Sequence, residues 1–520
     1  MSRLRRLLLA VPLTAALLAG GCVVPVVAPA EEPGGDGVRV PPPAAAPGTA
    51  AWRPCPEVPE EVIGRGASGM TYECATVTVP QDWSAPPGGA TYEIALLRAR
   101  ARDQRDRIGS LLVNPGGPGA SGVDTAVYLS FGAALGGLPA DVTRRFDIVG
   151  FDPRGVGRSS PVECISDADQ DASFAADPDP VSQAEFDRVA DLQERIAARC
   201  GTAYAGRLQT YSTEQAAHDM EAIRTAVGDE KLTYLGYSYG TLLGATYAQL
   251  YPRNIRALVL DGAIDPAQGP VAGAERQAQG FERAFTNFAA WCASTPGRCP
   301  VAPDARAALT AALAAAERAP VRASDGRLVT SGWVFYGVVA SLYVQDSWRP
   351  LAVALADLAR GDGDGILALA DAYADRDEKG QYTNMFDANL VVNCADAPAG
   401  VTAAEVRRLQ AEWRATYPLF GAPLAVGMLP CVFWPGERDP YPTGAAEGAP
   451  PILVVGTTGD PATPYENTQK LADMLGTGQV LTWEGEGHTA YADTPCITAA
   501  VNAYLIDLVV PRPGLRCPAR

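Results

Sequence analysis

The 520-residue sequence predicts an α/β fold, a mostly parallel sheet with helices on both faces and a mainly helical cap insertion. Three observations carry that expectation. Short apolar runs of strand length alternate with helical patterns from about residue 110 to 265. The stretch Lys231–Ala245, KLTYLGYSYGTLLGA, sets an apolar run, a G-x-S-x-G turn and a helical pattern end to end. The alternation then stops near Pro266, gives way to helix-rich sequence up to about Val426, and resumes with PILVVG at 451–456.

At the N-terminus Arg3, Arg5 and Arg6 precede an uncharged run from Leu7 to Ala19, followed by Gly20-Gly21-Cys22. This is an export signal, too short for a membrane span. Small residues directly before a cysteine have the form of a bacterial lipoprotein signal, with Cys22 as the lipidated first residue of the mature chain. The customary leucine three residues before the cysteine is displaced to Leu18 here, so cleavage elsewhere and plain secretion is the alternative. Residues 23–50 are rich in Pro, Ala and Gly without periodicity, the composition of a flexible tether. Order is expected from about Trp52.

Glu73–Val79 and Tyr92–Leu97 read as antiparallel strands joined through the turn-rich segment 84–89. Ser110–Val113 is a buried strand running into Asn114-Pro-Gly-Gly-Pro-Gly-Ala-Ser-Gly122, and Phe146–Phe151 is another, ending in Asp152-Pro-Arg-Gly-Val-Gly-Arg-Ser159. Ser212–Val227 is a helix capped by Ser212 with Gln215 three residues on, and stopped by Gly228. The elbow strand and helix follow, then a strand at Ile255–Leu260. In the insertion an Ala-rich helix spans Ala302–Ala319, with aromatics at Trp291, Trp333, Tyr336, Tyr343 and Trp348 and no clear parallel strand. The last core elements are a helix over Tyr465–Leu475, a strand at Val480–Trp483 and a helix from about Ile497 to Val509. The expected divisions are a signal over 1–22, a tether over 23–50, a first core part over 51–265, the cap over 266–426 and a second core part over 427–520.

Apolar residues make up 47% of the chain, enough for a large core, and the net charge of −17 argues against nucleic acid or an anionic lipid surface as a partner. Any membrane contact is expected through the lipid anchor alone, and a monomer is expected. Eleven cysteines less Cys22 leave ten, an even number that in an exported chain reads as five disulfides. Connectivity does not follow from sequence, but neighbouring couples give Cys55–Cys74, Cys164–Cys200, Cys292–Cys299, Cys394–Cys431 and Cys496–Cys517. The rival is metal binding, which lacks a C-x-x-C and has only two histidines to draw on. No metal or cofactor is implied.

The elbow carries the chemistry. A serine at a sharp strand-to-helix turn holds its hydroxyl out of the sheet, and Cβ atoms at 236 and 240 would collide with neighbouring backbone there. A serine hydroxyl needs an adjacent base, which an acid orients in turn. His488, in Glu486-Gly487-His488-Thr489 directly after the last core strand, is the expected base; His218, mid-helix and off the apolar stripe, reads as a surface residue. The acid should lie between Ser238 and His488 in the chain. Asp460, in GTTGDPATP, is preferred over Asp261 because its strand neighbours the one leading to His488, and Thr463 could hold its loop. Two backbone donors are needed for the oxyanion: the Tyr239 amide, and Gly117 or failing that Gly116. Asp152–Ser159 reads as a structural turn beneath the site.

NPGGPGASG, DPRGVGRSS, GYSYGT, GTTGDPATP and GEGHT stand in an order and spacing that resemble a family of exported actinobacterial α/β hydrolases. These are the tripeptidyl aminopeptidases and the mycobacterial carboxylesterase A-like serine proteases, with the proline iminopeptidases more distant. The resemblance spans about residues 50–517. It implies an α/β-hydrolase fold, Ser238, Asp460 and His488 as a catalytic triad, and Gly117 and Tyr239 as oxyanion donors. It also implies release of short peptides from a free N-terminus, with ester hydrolysis as a side activity. An exopeptidase needs an anion for the substrate's α-ammonium; Asp396 is the first candidate, with Asp387 and Asp346 beside it. The competing expectations are a carboxylesterase using the same triad, and a dead hydrolase fold used for binding, which three filled triad positions disfavour.

Overall fold

The computed structural model describes residues 49–55, 69–398 and 400–519. The expected signal, Cys22 and nearly all of the tether lie outside them. Among the described residues twelve strands occur in the order β1 (Arg53–Pro54), β2 (Met70–Pro80), β3 (Thr91–Ala101), β4 (Gly109–Asn114), β5 (Phe146–Phe151), β6 (Leu232–Tyr237), β7 (Ile255–Asp261), β8 (Val321–Arg322), β9 (Leu328–Val329), β10 (Ile452–Gly459), β11 (Gly478–Glu486) and β12 (Arg516–Cys517). All but β8 and β9 form one sheet, ordered β1-β2-β3-β5-β4-β6-β7-β10-β11-β12. The pairs from β1 to β5 are antiparallel; every pair from β5 across to β12 is parallel.

The parallel strands are buried on both faces, which is why β4, β5 and β7 read as continuous apolar runs. Alternate residues serve opposite cores. Leu111 and Val113 pack in one cluster with Leu235, Val259 and helices Gly122–Leu129 and Pro495–Asp507. Leu112 faces the other, with Tyr234, Leu260 and helices Thr213–Ala226 and Tyr239–Leu250. The Thr213 helix is capped at Ser212, whose Oγ accepts from the Gln215 amide at 3.3 Å. The Gln215 side chain does not complete a capping box: its Oε1 accepts from the Trp83 amide at 2.8 Å, tying the helix to the turn after β2.

Between β7 and β10 the chain is helical apart from the two-residue pair β8–β9. An aromatic-rich core gathers Phe281, Phe285, Phe288, Trp333, Trp348 and Phe420. Packing crosses the expected division at residue 265. Helices Asp167–Ala175 and Gln183–Ala203, which follow β5 and which the sequence reading left unassigned, join this layer: Phe174 stacks on Trp333 at 5.6 Å, and Phe186 packs with Val406 and Trp413. The disulfides are Cys55–Cys74, Cys164–Cys200, Cys292–Cys299, Cys394–Cys431 and Cys496–Cys517. The first and last pin β1 and β12, strands of two residues that carry no alternating pattern for a sequence reading to find. Among the described residues no helix is long and apolar enough to cross a membrane.

Candidate active site

Ser238 joins β6 to the helix Tyr239–Leu250 with φ 54° and ψ −123°, a conformation that side chains rarely adopt. The glycines around it make room. A Cβ on Gly236 would stand 2.3 Å from the Gly240 carbonyl oxygen, and one on Gly240 would stand 2.8 Å from that of Asn114. The Ser238 amide donates to the Asp261 carbonyl at 2.9 Å, and the Thr241 hydroxyl to the Ser238 carbonyl at 2.7 Å, so the turn is fixed from both sides.

His488 follows β11 and Asp460 follows β10; the two strands are parallel neighbours, which brings their C-terminal ends together. The Nδ1 of His488 lies 2.9 Å from both carboxylate oxygens of Asp460. With Nδ1 donating, Nε2 is the lone-pair nitrogen; both Nε2 and the Ser238 Oγ are buried and without a hydrogen-bond partner among the described residues. Asp460 is itself held: Oδ1 accepts from the amides of Ala462 at 2.9 Å and Thr463 at 2.8 Å, and Oδ2 from the Thr463 hydroxyl at 3.0 Å. Asp261 is brought elsewhere, to the amides of Ala490 and Tyr491 at 3.0 and 2.8 Å. Burial pushes its carboxyl up to about 7, against those amides. It fastens the loop after the histidine rather than the ring.

The helical layer supplies a residue that sequence reading had marked only as one aromatic among several. The Tyr343 carbonyl accepts from the His488 amide at 2.8 Å, and its ring meets the imidazole edge-to-face at 5.2 Å. Arg283, also from that layer, donates to the Asp460 carbonyl at 3.2 Å. No sequence pattern marks either role. The other histidine differs from its expected surface position: His218 is mostly buried between Trp83 and Tyr251, with Nδ1 2.6 Å from the Tyr251 hydroxyl. A polar tip can be satisfied inside when a tyrosine meets it.

Gly116 and Gly117 have φ of 98° and 107°, open to glycine and strained for other residues. A Cβ on Gly116 would fall 2.9 Å from the Tyr239 amide nitrogen, so the glycine loop lies directly against the elbow. Gly117 and Tyr239 both line a cavity of about 390 Å3. The same wall contains Asp396, whose carboxylate accepts from the Thr213 amide at 2.7 Å and hydroxyl at 2.6 Å. The Tyr239 hydroxyl in turn bonds the Thr213 hydroxyl at 2.5 Å. Burial pushes Asp396 up to about 7, opposed by the Thr213 bonds. Among the described residues no salt bridge engages it, whereas Asp265 in the same wall pairs with Lys470 at 3.1 Å. The other two candidates do not reach the cavity. Asp387 holds the amides of Cys164 and Ile165 at 2.6 and 2.7 Å, and Asp346 is exposed in a short turn. Among the described residues no cluster of three or more His, Cys, Asp or Glu is placed to hold a metal ion.

Asp152–Ser159 is a polar turn whose Asp152, Arg154 and Ser159 are buried. Asp152 accepts from the Ser121 hydroxyl and the Val123 and Arg158 amides, and Arg154 is buried against Asp219, 2.6 Å at its shorter contact.

Residues 109–495 match the family model described as alpha/beta hydrolase fold. The chain is 37% identical over 484 residues to a serine protease Hip1 of Mycobacterium tuberculosis, covering 90% of each chain. It is 38% identical over 530 residues to a carboxylesterase B of the same organism, covering 97% of this chain and 98% of the relative. A tripeptidyl aminopeptidase of Streptomyces coelicolor is 30% identical over 445 residues, 84% of this chain and 81% of its own.

Proposed function

The chain belongs to the alpha/beta hydrolase fold family and is a serine hydrolase, and from that premise we propose that it is an exopeptidase releasing di- or tripeptides from free N-termini. Ser238 is the nucleophile, His488 the base and Asp460 the acid that orients it. The Ser238 Oγ attacks the scissile carbonyl while its proton passes to His488 Nε2. Asp460, against Nδ1, stabilises the imidazolium that results. The amides of Tyr239 and Gly117 take the oxyanion, and His488 returns the proton to the leaving amine as the carbon–nitrogen bond breaks. Water, deprotonated by the same nitrogen, then releases the peptide and restores the serine.

The observation that carries the exopeptidase reading is Asp396. It is a buried carboxylate without a salt bridge among the described residues, in the wall of the cavity that also contains Gly117 and Tyr239. An α-ammonium seated on it would keep it ionised and set how many residues fit between the amine and the serine. The test compares a free-amine tripeptidyl p-nitroanilide, its N-acetylated twin and p-nitrophenyl butyrate, on the wild type, Ser238→Ala and Asp396→Asn. Ser238→Ala should silence everything. Asp396→Asn should lower kcat/KM for the free-amine peptide by about 100-fold, the loss of a charge-assisted contact, and leave the ester within threefold. Equal turnover of the acetylated and free peptides would sink the reading.

A second reading, a carboxylesterase on small or lipid esters, draws on the carboxylesterase B relative. It predicts ester cleavage with both peptides untouched. The five disulfides are compatible with an exported or secreted chain. For lipid anchoring at Cys22, Cys22→Ser should move the protein from the membrane fraction to the medium. An unchanged distribution would refute the anchor.

A further inference from the structure

The helical layer forms a second chamber, open on one side, that the proposed chemistry leaves unused. Its volume is about 120 Å3, and its walls are mostly apolar, with Phe174, Phe335, Tyr336, Phe386, Leu390 and Leu424 among them. The walls come from both parts of the helical layer, since Phe174 precedes the elbow and the other five follow it. They are also braced: the Phe174 ring meets Tyr336 and Phe386 edge-on at 4.7 and 5.0 Å.

The chamber is joined to the cavity lined by Gly117, Tyr239 and Asp396 by one helix, Met385–Asp396, whose Asn393 lines both spaces. The Asn393 Nδ2 donates to the Asn389 Oδ1 at 3.0 Å, and the Asn389 Nδ2 to the Pro118 carbonyl at 3.0 Å. Two side-chain amides therefore form the partition, fastened to the loop that carries Gly117. The same helix runs hard against that loop: a Cβ on Gly119 would stand 2.1 Å from the Met385 carbonyl oxygen.

We propose that this chamber is the subsite for an apolar group on the acyl half of the substrate. In a peptide that group is the side chain of the residue whose carbonyl is attacked; in an ester it is the acyl chain. The proposal rests on the serine-hydrolase reading above. Volume sets the size of the occupant: an apolar cavity of about 150 Å3 holds a benzene molecule, so this one takes a leucine-sized group and no long lipid chain. Position sets the half: Asn389, in the chamber wall, donates to the Pro118 carbonyl next to Gly117, which puts the chamber on the side of the loop proposed to face the acyl carbon.

Two substrate series test it, free-amine Ala-Ala-X p-nitroanilides with X as Ala, norleucine, Leu, Phe or Lys, and p-nitrophenyl esters from acetate to octanoate. Wild-type kcat/KM should rise about fourfold per added methylene until the chamber is full, then flatten. Ser173, in the wall and only partly buried, offers a site for filling it. Ser173→Trp should bring the span of each series to within threefold while p-nitrophenyl acetate turnover and Tm stay as in the wild type. Asn393→Ala should move the plateau to longer chains. Dependence in only one series still supports the subsite and identifies which kind of group it takes. A length preference that survives Ser173→Trp overturns the proposal, as does a preference for Lys over norleucine. Acetate turnover separates the two failures: if acetate is cleaved without any chain dependence, the subsite fails and the hydrolase reading stands. Silence on every substrate removes both.

Discussion

Ser238, the proposed nucleophile, sits in a turn that depends on the missing Cβ atoms of Gly236 and Gly240. At Gly240 the absent Cβ would press on the Asn114 backbone oxygen at 2.8 Å, and backbone cannot swing aside as a side chain can. Gly240→Ala should abolish measurable turnover and destabilise the fold by about 1–3 kcal/mol, read by denaturant titration. A variant with wild-type stability and activity would show that the turn has slack. Thr463 stands one step away, its hydroxyl donating to Asp460, the proposed acid. Thr463→Val keeps its shape and removes one hydrogen bond to a charged group, worth about 1.5–3 kcal/mol. The cost should fall on kcat, by about tenfold or more, with KM little changed. A KM effect of the same size would place Thr463 in substrate binding instead.

At the scale of elements, the helix Met385–Asp396 joins the parts of both proposed subsites. It presses on the glycine loop, partitions the two cavities with Asn389 and Asn393, and ends at Asp396. Its last turn is tied by Cys394–Cys431, a bridge closing 37 positions of chain. Removing a bridge of that span costs about 4 kcal/mol in the chain-entropy account. The Cys394→Ser, Cys431→Ser double variant should therefore melt well below the wild type. Below its melting point it should lose peptide turnover more than acetate turnover, because the proposed triad sits on other elements. Equal loss of both would mean that the helix positions the serine and histidine as well.

For the whole molecule, three buried carboxyls make stability depend on pH in a definite direction. Burial pushes Asp387 up to about 6 and Asp261 and Asp396 up to about 7, all above the ordinary carboxylate value of about 3.9 in an unfolded chain. A raised folded pKa means that the native state holds its proton where the unfolded chain has lost it. Their contribution is complete below about pH 4 and is lost as pH rises through 6 to 7. Denaturant midpoints for Asp387→Asn should thus change less between pH 5 and pH 8 than those of the wild type; an unchanged difference would remove Asp387 from the account. The same ionisation reaches function through Asp396. The ratio of peptide to ester turnover should rise through about pH 7 as Asp396 ionises, then fall near pH 8 as the substrate amine deprotonates. A flat ratio would argue that no carboxylate meets the amine.

Much of this protein was legible in the chain itself, where local chemistry leaves a pattern. The alternation of apolar runs and helical periods marked β4 to β7 and β10 and their parallel pairing, since strands buried on both faces must be apolar throughout, and the shorter buried run at Leu481–Trp483 marked β11. The flanking strand and helix gave G-x-S-x-G its meaning, and a chain with only two histidines narrowed the base to one candidate. What tertiary structure alone decided depends on contacts between distant residues, which leave no local trace. Tyr343 meets His488 across 145 positions of sequence, and the bond from Thr213 to Asp396 crosses 183. Strand order favours Asp460 over Asp261 as the histidine's partner, but only the structure puts His488 Nδ1 2.9 Å from Asp460 and Asp261 on the Ala490 and Tyr491 amides. The helices after β5 belong with the insertion because their apolar faces find partners there, and an amphipathic pattern states that a face must be covered without saying by what.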